Sequence, residues 1–186
     1  MVKFKLLMAL VAILFSVSMV AQEYEPSFIG EVNLVKADGT VMQLDKSAAK
    51  IKTKAGASVY LTGIGKVKSK INVEGAQATT RVGKNEEFKL IIKSVDNDSD
   101  PLSIINIFQF EVSKKARKAE LSSLATFGGH SDNNLKLVPY TAKKYGEASY
   151  EITLKTKPVG EFGITVKNPN HQDEKSLIVA CFGIDE

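Results

Sequence analysis

A chain of 186 residues that is 44% hydrophobic and 25% charged has enough apolar surface to bury a core and is too apolar to be read as disordered. The formal charge of +4 shrinks if Lys3 and Lys5 belong to a removed export signal: 25 basic side chains become 23 against 21 acidic ones, a net +2. So even a balance, with the two signs interleaved along the chain, argues against a nucleic-acid partner.

Lys3 and Lys5 form a positive n-region, Leu6 to Phe15 an apolar h-region, and Ser16, Ser18 and Ala21 supply small residues near a cleavage site. The apolar run is shorter than the about 20 residues a membrane span needs. Residues 1–21 are therefore expected to be a signal peptide, with Gln22 first in the exported chain and no span after its removal. Cys181 is the single cysteine, so no intramolecular disulfide is available. Its apolar surroundings, Leu177 to Ile184, predict a buried and inert thiol.

Beyond the signal, period-2 alternation and β-branched residues recur and no sustained 3.6-residue stripe is present, which predicts an all-β fold. Phe28 to Val35 and Val41 to Leu44 read as a hairpin turning at Asp38 and Gly39. Ala49 to Thr53 and Ser58 to Thr62 read as strands. In the next strand Lys66, Lys68 and Lys70 alternate with Val67, Ser69 and Ile71. That ladder is the wet face of a sheet and a guard against edge pairing, or else a stripe for a polyanion. Glu74 to Gly83 is small and polar, which suits a boundary between an N-terminal β region (22–76) and a C-terminal one (82–186), or else one crossing loop.

Phe88 to Val95 and Ile104 to Val112 are strong strands flanking the loop Asp96 to Pro101. In the second of them Phe108, Phe110 and Val112 share a face opposite Gln109 and Glu111. Lys114, Lys115, Arg117 and Lys118 form the densest basic cluster, a solvated turn or a patch for an anionic ligand. Phe127 to Asn134 is a loop. Leu135 to Tyr140, Ser149 to Leu154, Phe162 to Val166 and Leu177 to Ile184 complete a set of short strands typical of an antiparallel β-sandwich.

The stretch Ile152 to Val166 carries Pro158, Gly160 and Phe162 in the order found where a late core strand opens in immunoglobulin-like and fibronectin type III sandwiches, and it resembles them. The resemblance covers about fifteen residues, implies an immunoglobulin-like fold and implies nothing about activity. The whole chain is also similar to small exported bacterial proteins of unassigned function.

Asp96, Asp98 and Asp100 are the sharpest candidates for chemistry, because alternating carboxylates in a loop can converge on Ca²⁺. They fail the EF-hand pattern, since Pro101 stands where glycine is needed and Ile107 where glutamate is. His130 with Asp132, and His171 with Asp173, have spacing that suits a transition-metal ligand pair or places a general base. No nucleophile elbow, Walker loop or dinucleotide fingerprint is present. Tryptophan is absent and only five tyrosines occur, which disfavours a carbohydrate-binding platform built on aromatic stacking. Tyr140, Tyr145 and the lysines between them read as core-edge tyrosines beside a solvated turn, or else as an amphipathic contact patch. The sequence thus predicts an exported, non-enzymatic binding or structural module of the periplasm or cell surface, its partner a protein or glycan of the envelope. A calcium-dependent module using Asp96, Asp98 and Asp100 is the alternative, followed by a hydrolase.

Overall fold

The computed structural model describes residues 23–55, 60–61, 66–125, 131–167 and 176–186. The expected signal peptide lies outside them, as do His130, His171 and Asp173.

The described residues are all-β, built from antiparallel sheets with one parallel pairing. One sheet has five strands: β1 (Val32–Lys36), β2 (Val41–Gln43), β6 (Phe88–Lys93), β11 (Tyr140–Tyr145) and β12 (Ser149–Leu154), in the order β11-β12-β6-β1-β2. The β1–β2 hairpin forms as expected. Gly39 takes the positive φ of +84° that its turn requires. The Thr40 amide donates to Asp38 Oδ1 at 2.8 Å.

The second sheet contains β3 (Asp45–Ala55), β4 (Lys66–Glu74), β9 (Ala116–Ala125), β10 (Ser131–Asn133), β13 (Gly160–Val166) and β14 (Ser176–Asp185). β7 (Ile105–Gln109) and β8 (Glu111–Ser113) act as one bent strand broken at Phe110. β7 pairs with β13, whereas β8 pairs with β9. The path β9-β4-β3-β14-β13 thereby returns to its start, and the sheet curls into a nearly closed barrel. β5 (Arg81–Gly83) adds in parallel to the end of β14. The loop Asp96 to Asp100 leads into a single turn of helix, α1 (Pro101–Ile104).

Sequence alternation explains how the two layers share strands. On β14, Ala180, Phe182 and Ile184 face the five-stranded sheet, where they meet Val32, Leu34, Leu90 and Ile152. Val179 and Cys181 point the other way, into the barrel with Phe108, Phe110, Ile71 and Val73. A strand buried on both faces has no polar side to show, which is why Leu177 to Ile184 reads as an unbroken apolar run. Gly163 on β13 faces Phe108 and Phe110: a Cβ there would lie 2.7 Å from Phe110 Cζ and 2.8 Å from Phe108 Cζ. The two rings, in edge-to-face contact with centroids 5.1 Å apart, fill the space that glycine leaves.

Pairing crosses the boundary placed between residues 76 and 82. β1 is bonded to β6 and β3 to β14, and Val32, Leu34 and Leu44 share one core with Phe162 and Phe182. Several local expectations are corrected. Ser131–Asn133 forms β10 inside the stretch expected to be a loop, Leu135 to Tyr140 is irregular chain with a single bridge from Leu137 to Phe108, and Tyr140–Tyr145 is strand β11 rather than the flank of a turn. Val112 is exposed rather than on a common buried face with Phe108 and Phe110, because the strand breaks at Phe110. Tyr60 and Leu61 are helical rather than extended, and both are highly exposed. Arg117 belongs to a strand interior and is buried, not part of a solvated turn.

Candidate functional site

The barrel wall formed by β3, β4 and β9 is where the sequence's two basic motifs meet. On β3, Ala49 is buried while Lys46, Ala48, Lys50, Lys52 and Lys54 are exposed. On β4, Ile71 and Val73 are buried in the barrel, so Lys68, Lys70 and Asn72 project outward. On β9, Ala119 goes inward and Lys118 outward.

Register then sets like charges against each other: Lys52 is directly opposite Lys70, and Lys54 opposite Lys68. Such pairs are destabilising by roughly 0.2–1 kcal/mol each. The turn after β8 brings Lys115 to the far end. Together Lys52, Lys54, Lys68, Lys70, Lys115 and Lys118 line an open groove of about 840 Å³ that has no carboxylate and no aromatic ring among its lining residues.

One carboxylate reaches into this field. Lys68 Nζ donates to Glu120 Oε2 at 3.1 Å, and Lys70 Nζ stands 3.7 Å from the same oxygen. The Lys68 ammonium, with Asn134 donating to the other oxygen at 2.8 Å, holds the Glu120 carboxyl below the usual carboxylate range. Glu74 and Glu111 stand at the margins of the same wall, Glu74 within 3.5 Å of Lys50 and Glu111 across from Lys118 in register. Among the described residues no ion pair engages Lys52, Lys54, Lys115 or Lys118.

The ladder does not guard an edge. β4 is hydrogen-bonded to β3 on one side and β9 on the other along its length, so no free edge exists there to protect. Edge protection is therefore excluded as the reason for these lysines, while the wet-face reading holds. Lys52 and Lys54 escaped notice in the sequence, although Lys50, Lys52 and Lys54 alternate with Ile51 and Thr53 in the same period-2 pattern that marked Lys66, Lys68 and Lys70.

At one end of the barrel the charges are paired, with Glu161 and Arg117 buried and Arg81 and Asp185 at the rim. Arg81 spans Glu161, at 2.5 Å from Nη1, and Asp185, with Nε donating to Oδ2 at 2.9 Å. These two carboxylates, Asp185 foremost, raise the guanidinium pKa. Glu161 Oε2 also accepts from the Ala78 amide at 2.7 Å. Arg117 lies inside the barrel, 2% exposed, with Nη1 3.8 Å from Glu161 and its guanidinium over the Phe110 ring at 5.8 Å. Arg117 Nη1 has no hydrogen-bond partner. This network ties β5, β9, β13 and β14 together and offers no opening to a ligand.

The three aspartates of the 96–100 loop are turned to separate tasks. Asp96 Oδ1 accepts from the Asp98 amide at 3.0 Å, Asp100 Oδ1 caps α1 through the Leu102 amide at 3.0 Å, and Asp98 is paired with Lys144 at 2.6 Å. The Lys144 hydrogen bond holds the Asp98 carboxyl low. Tyr150 and Tyr140 pin the loop from below, donating to the carbonyls of Ser99 at 2.5 Å and Pro101 at 3.0 Å. Burial pushes the Tyr140 hydroxyl up to about 12. A cavity of about 190 Å³ beside the loop is lined by Asp96, Ser99 and Lys167. Among the described residues no group of three or more His, Cys, Asp or Glu side chains is assembled around a common point. Asp132 sits in β10, and its expected partner His130 lies outside the described residues. Cys181 is fully buried, and burial pushes its thiol up to about 11.

None of the protein families compared with the chain matches it, and no curated protein or solved structure matches it either. Among the described residues no helix is long and apolar enough to cross a membrane.

Proposed function

We propose that this protein is an exported, non-enzymatic binding module that holds an anionic ligand of the periplasm or cell surface in the lysine groove of its barrel. The observation that carries this reading is the concentration of six lysines in one groove, five of them on strands that are central in their sheet and Lys115 in the turn after β8, with Glu120 the one carboxylate that reaches into it. A net charge near zero makes that concentration local rather than a property of the whole surface. Directly opposed lysines lower the stability of the free protein, and natural sequences break a local rule of this kind where a site needs it. No imidazole lines the groove, and Glu120, the one carboxylate that reaches into it, is held below the usual carboxylate range by Lys68. Export rests on the charge and apolar pattern of residues 1–21. An immunoglobulin-like arrangement of the two-sheet core is part of the same proposal, supported by Pro158, Gly160 and the fully buried Phe162 at the start of β13.

The test is thermal unfolding at low salt with tripolyphosphate, polygalacturonate or neutral dextran present. A ligand that binds only the folded state raises the midpoint by mass action. Both anions are expected to raise it and dextran to leave it alone. The rise should shrink with added salt and vanish in the double variant Lys52→Gln, Lys70→Gln. No rise with any anion would overturn the proposal.

A further inference from the structure

We infer that the occupant of the groove is a linear acidic polysaccharide chain rather than a compact anion; this rests on the reading of the groove as an anion site and narrows it. Three features of the groove select the class. The first is shape. From Lys68 to the level of Glu74, six residues along β4, the wall runs about 20 Å at the strand rise of about 3.3 Å per residue. Open along one side over that length, the groove of about 840 Å³ has the form of a seat for one extended chain.

The second feature is the spacing of charge. Neighbouring strands place lysines about 4.8 Å apart across the wall and about 6.6 Å apart along it. A compact anion meets two or three of these ammonium groups, whereas a chain bearing repeated carboxylates or sulfates meets Lys52, Lys54, Lys115 and Lys118 together and competes with Glu120 for Lys68 and Lys70.

The third is what lines the groove besides lysine. Asn72 and Ser113 bring uncharged hydrogen-bonding groups suited to hydroxyls, and no ring is present for base stacking. Single-stranded nucleic acid relies on stacking aromatic side chains for much of its affinity. An extended acidic peptide would add to a free strand edge, and β4 has both edges occupied.

The experiment is calorimetric titration of the purified protein with oligogalacturonides of increasing length, with tripolyphosphate and with a DNA duplex, at low and at moderate salt. Each further lysine engaged adds to one binding event, so affinity is expected to rise about tenfold or more from the dimer to chains that span the groove. It should fall steeply with salt, because exposed charges are screened. Lys52→Gln with Lys54→Gln should weaken long-chain binding about tenfold while raising the midpoint of the free protein, since it removes two opposed like-charge pairs. Lys155→Gln, outside the groove, should change neither.

If tripolyphosphate binds as tightly as the long chains, the polysaccharide assignment fails and the anion site stands. If no anion binds, both fail. Duplex DNA binding as tightly as the glycan would overturn the assignment, as would full binding by the Lys52, Lys54 double variant.

Discussion

At the residue scale, one carboxylate fastens the start of the described chain to the five-stranded sheet. Glu25 accepts from the Ala148 amide at 3.0 Å, from Ser149 Oγ at 2.8 Å and from Lys93 Nζ at 2.9 Å. Burial opposes its ionisation, but these hydrogen bonds, Ala148's foremost, outweigh it and hold the carboxyl at about 2. A carboxyl whose folded pKa is depressed contributes stability above its unfolded value, and that contribution fades as pH falls from about 4.5 toward about 2. Glu25→Gln is therefore expected to cost about 2 kcal/mol in urea unfolding at pH 7 and much less at pH 2.5. An equal cost at both pH values would contradict this. Gly163 gives a second prediction. A methyl group there runs into both Phe rings, so Gly163→Ala should destabilise the fold by about 1–3 kcal/mol, read as a lowered thermal midpoint.

Much of what the sequence hides is hidden at this scale for a physical reason. Arg117 sits in a run of lysines, and a basic run reads as solvated. Only the β9 alternation, which turns Arg117 and Ala119 inward between Lys118 and Glu120, reveals that it is buried.

At the scale of elements, the period-2 patterns of β1, β6, β12 and β14 were legible because each alternates or is apolar throughout. The hairpin at Gly39 was legible because its turn chemistry is local. The break at Phe110 was not, since Ile104 to Val112 carries no proline or glycine to mark it. That break lets one strand serve β13 and then β9, and the barrel depends on it. The buried network beside it carries its own prediction. Removing one partner of a buried ion pair leaves the other charge uncompensated, so Glu161→Gln should cost about 3–5 kcal/mol by leaving the buried Arg117 without a carboxylate, while Arg81 keeps Asp185. Chemical denaturation measures it, and a cost below about 1 kcal/mol would mean that Arg117 is satisfied by other groups.

At the scale of the whole molecule, the groove exists because residues far apart in the chain are brought onto one wall. Lys52 and Lys118 come together only through β3–β4 and β4–β9 pairing. In the sequence Lys66, Lys68, Lys70 and the cluster at Lys114 to Lys118 were visible as separate stripes against a near-neutral background. Their joining was not, because register between distant strands has no local signature. The same non-local pairing, β3 with β14 above all, merges the N-terminal residues into the common core.

The measurement closest to the central claim is a map of backbone amide chemical shifts as a long oligogalacturonide is added. Shifts are expected to concentrate in β3, β4 and the first half of β9, together with the turn at Lys114 and Lys115, with little change at Asp96 to Asp100. Shifts gathered instead on the 96–100 loop or the five-stranded sheet, or none at all, would contradict it.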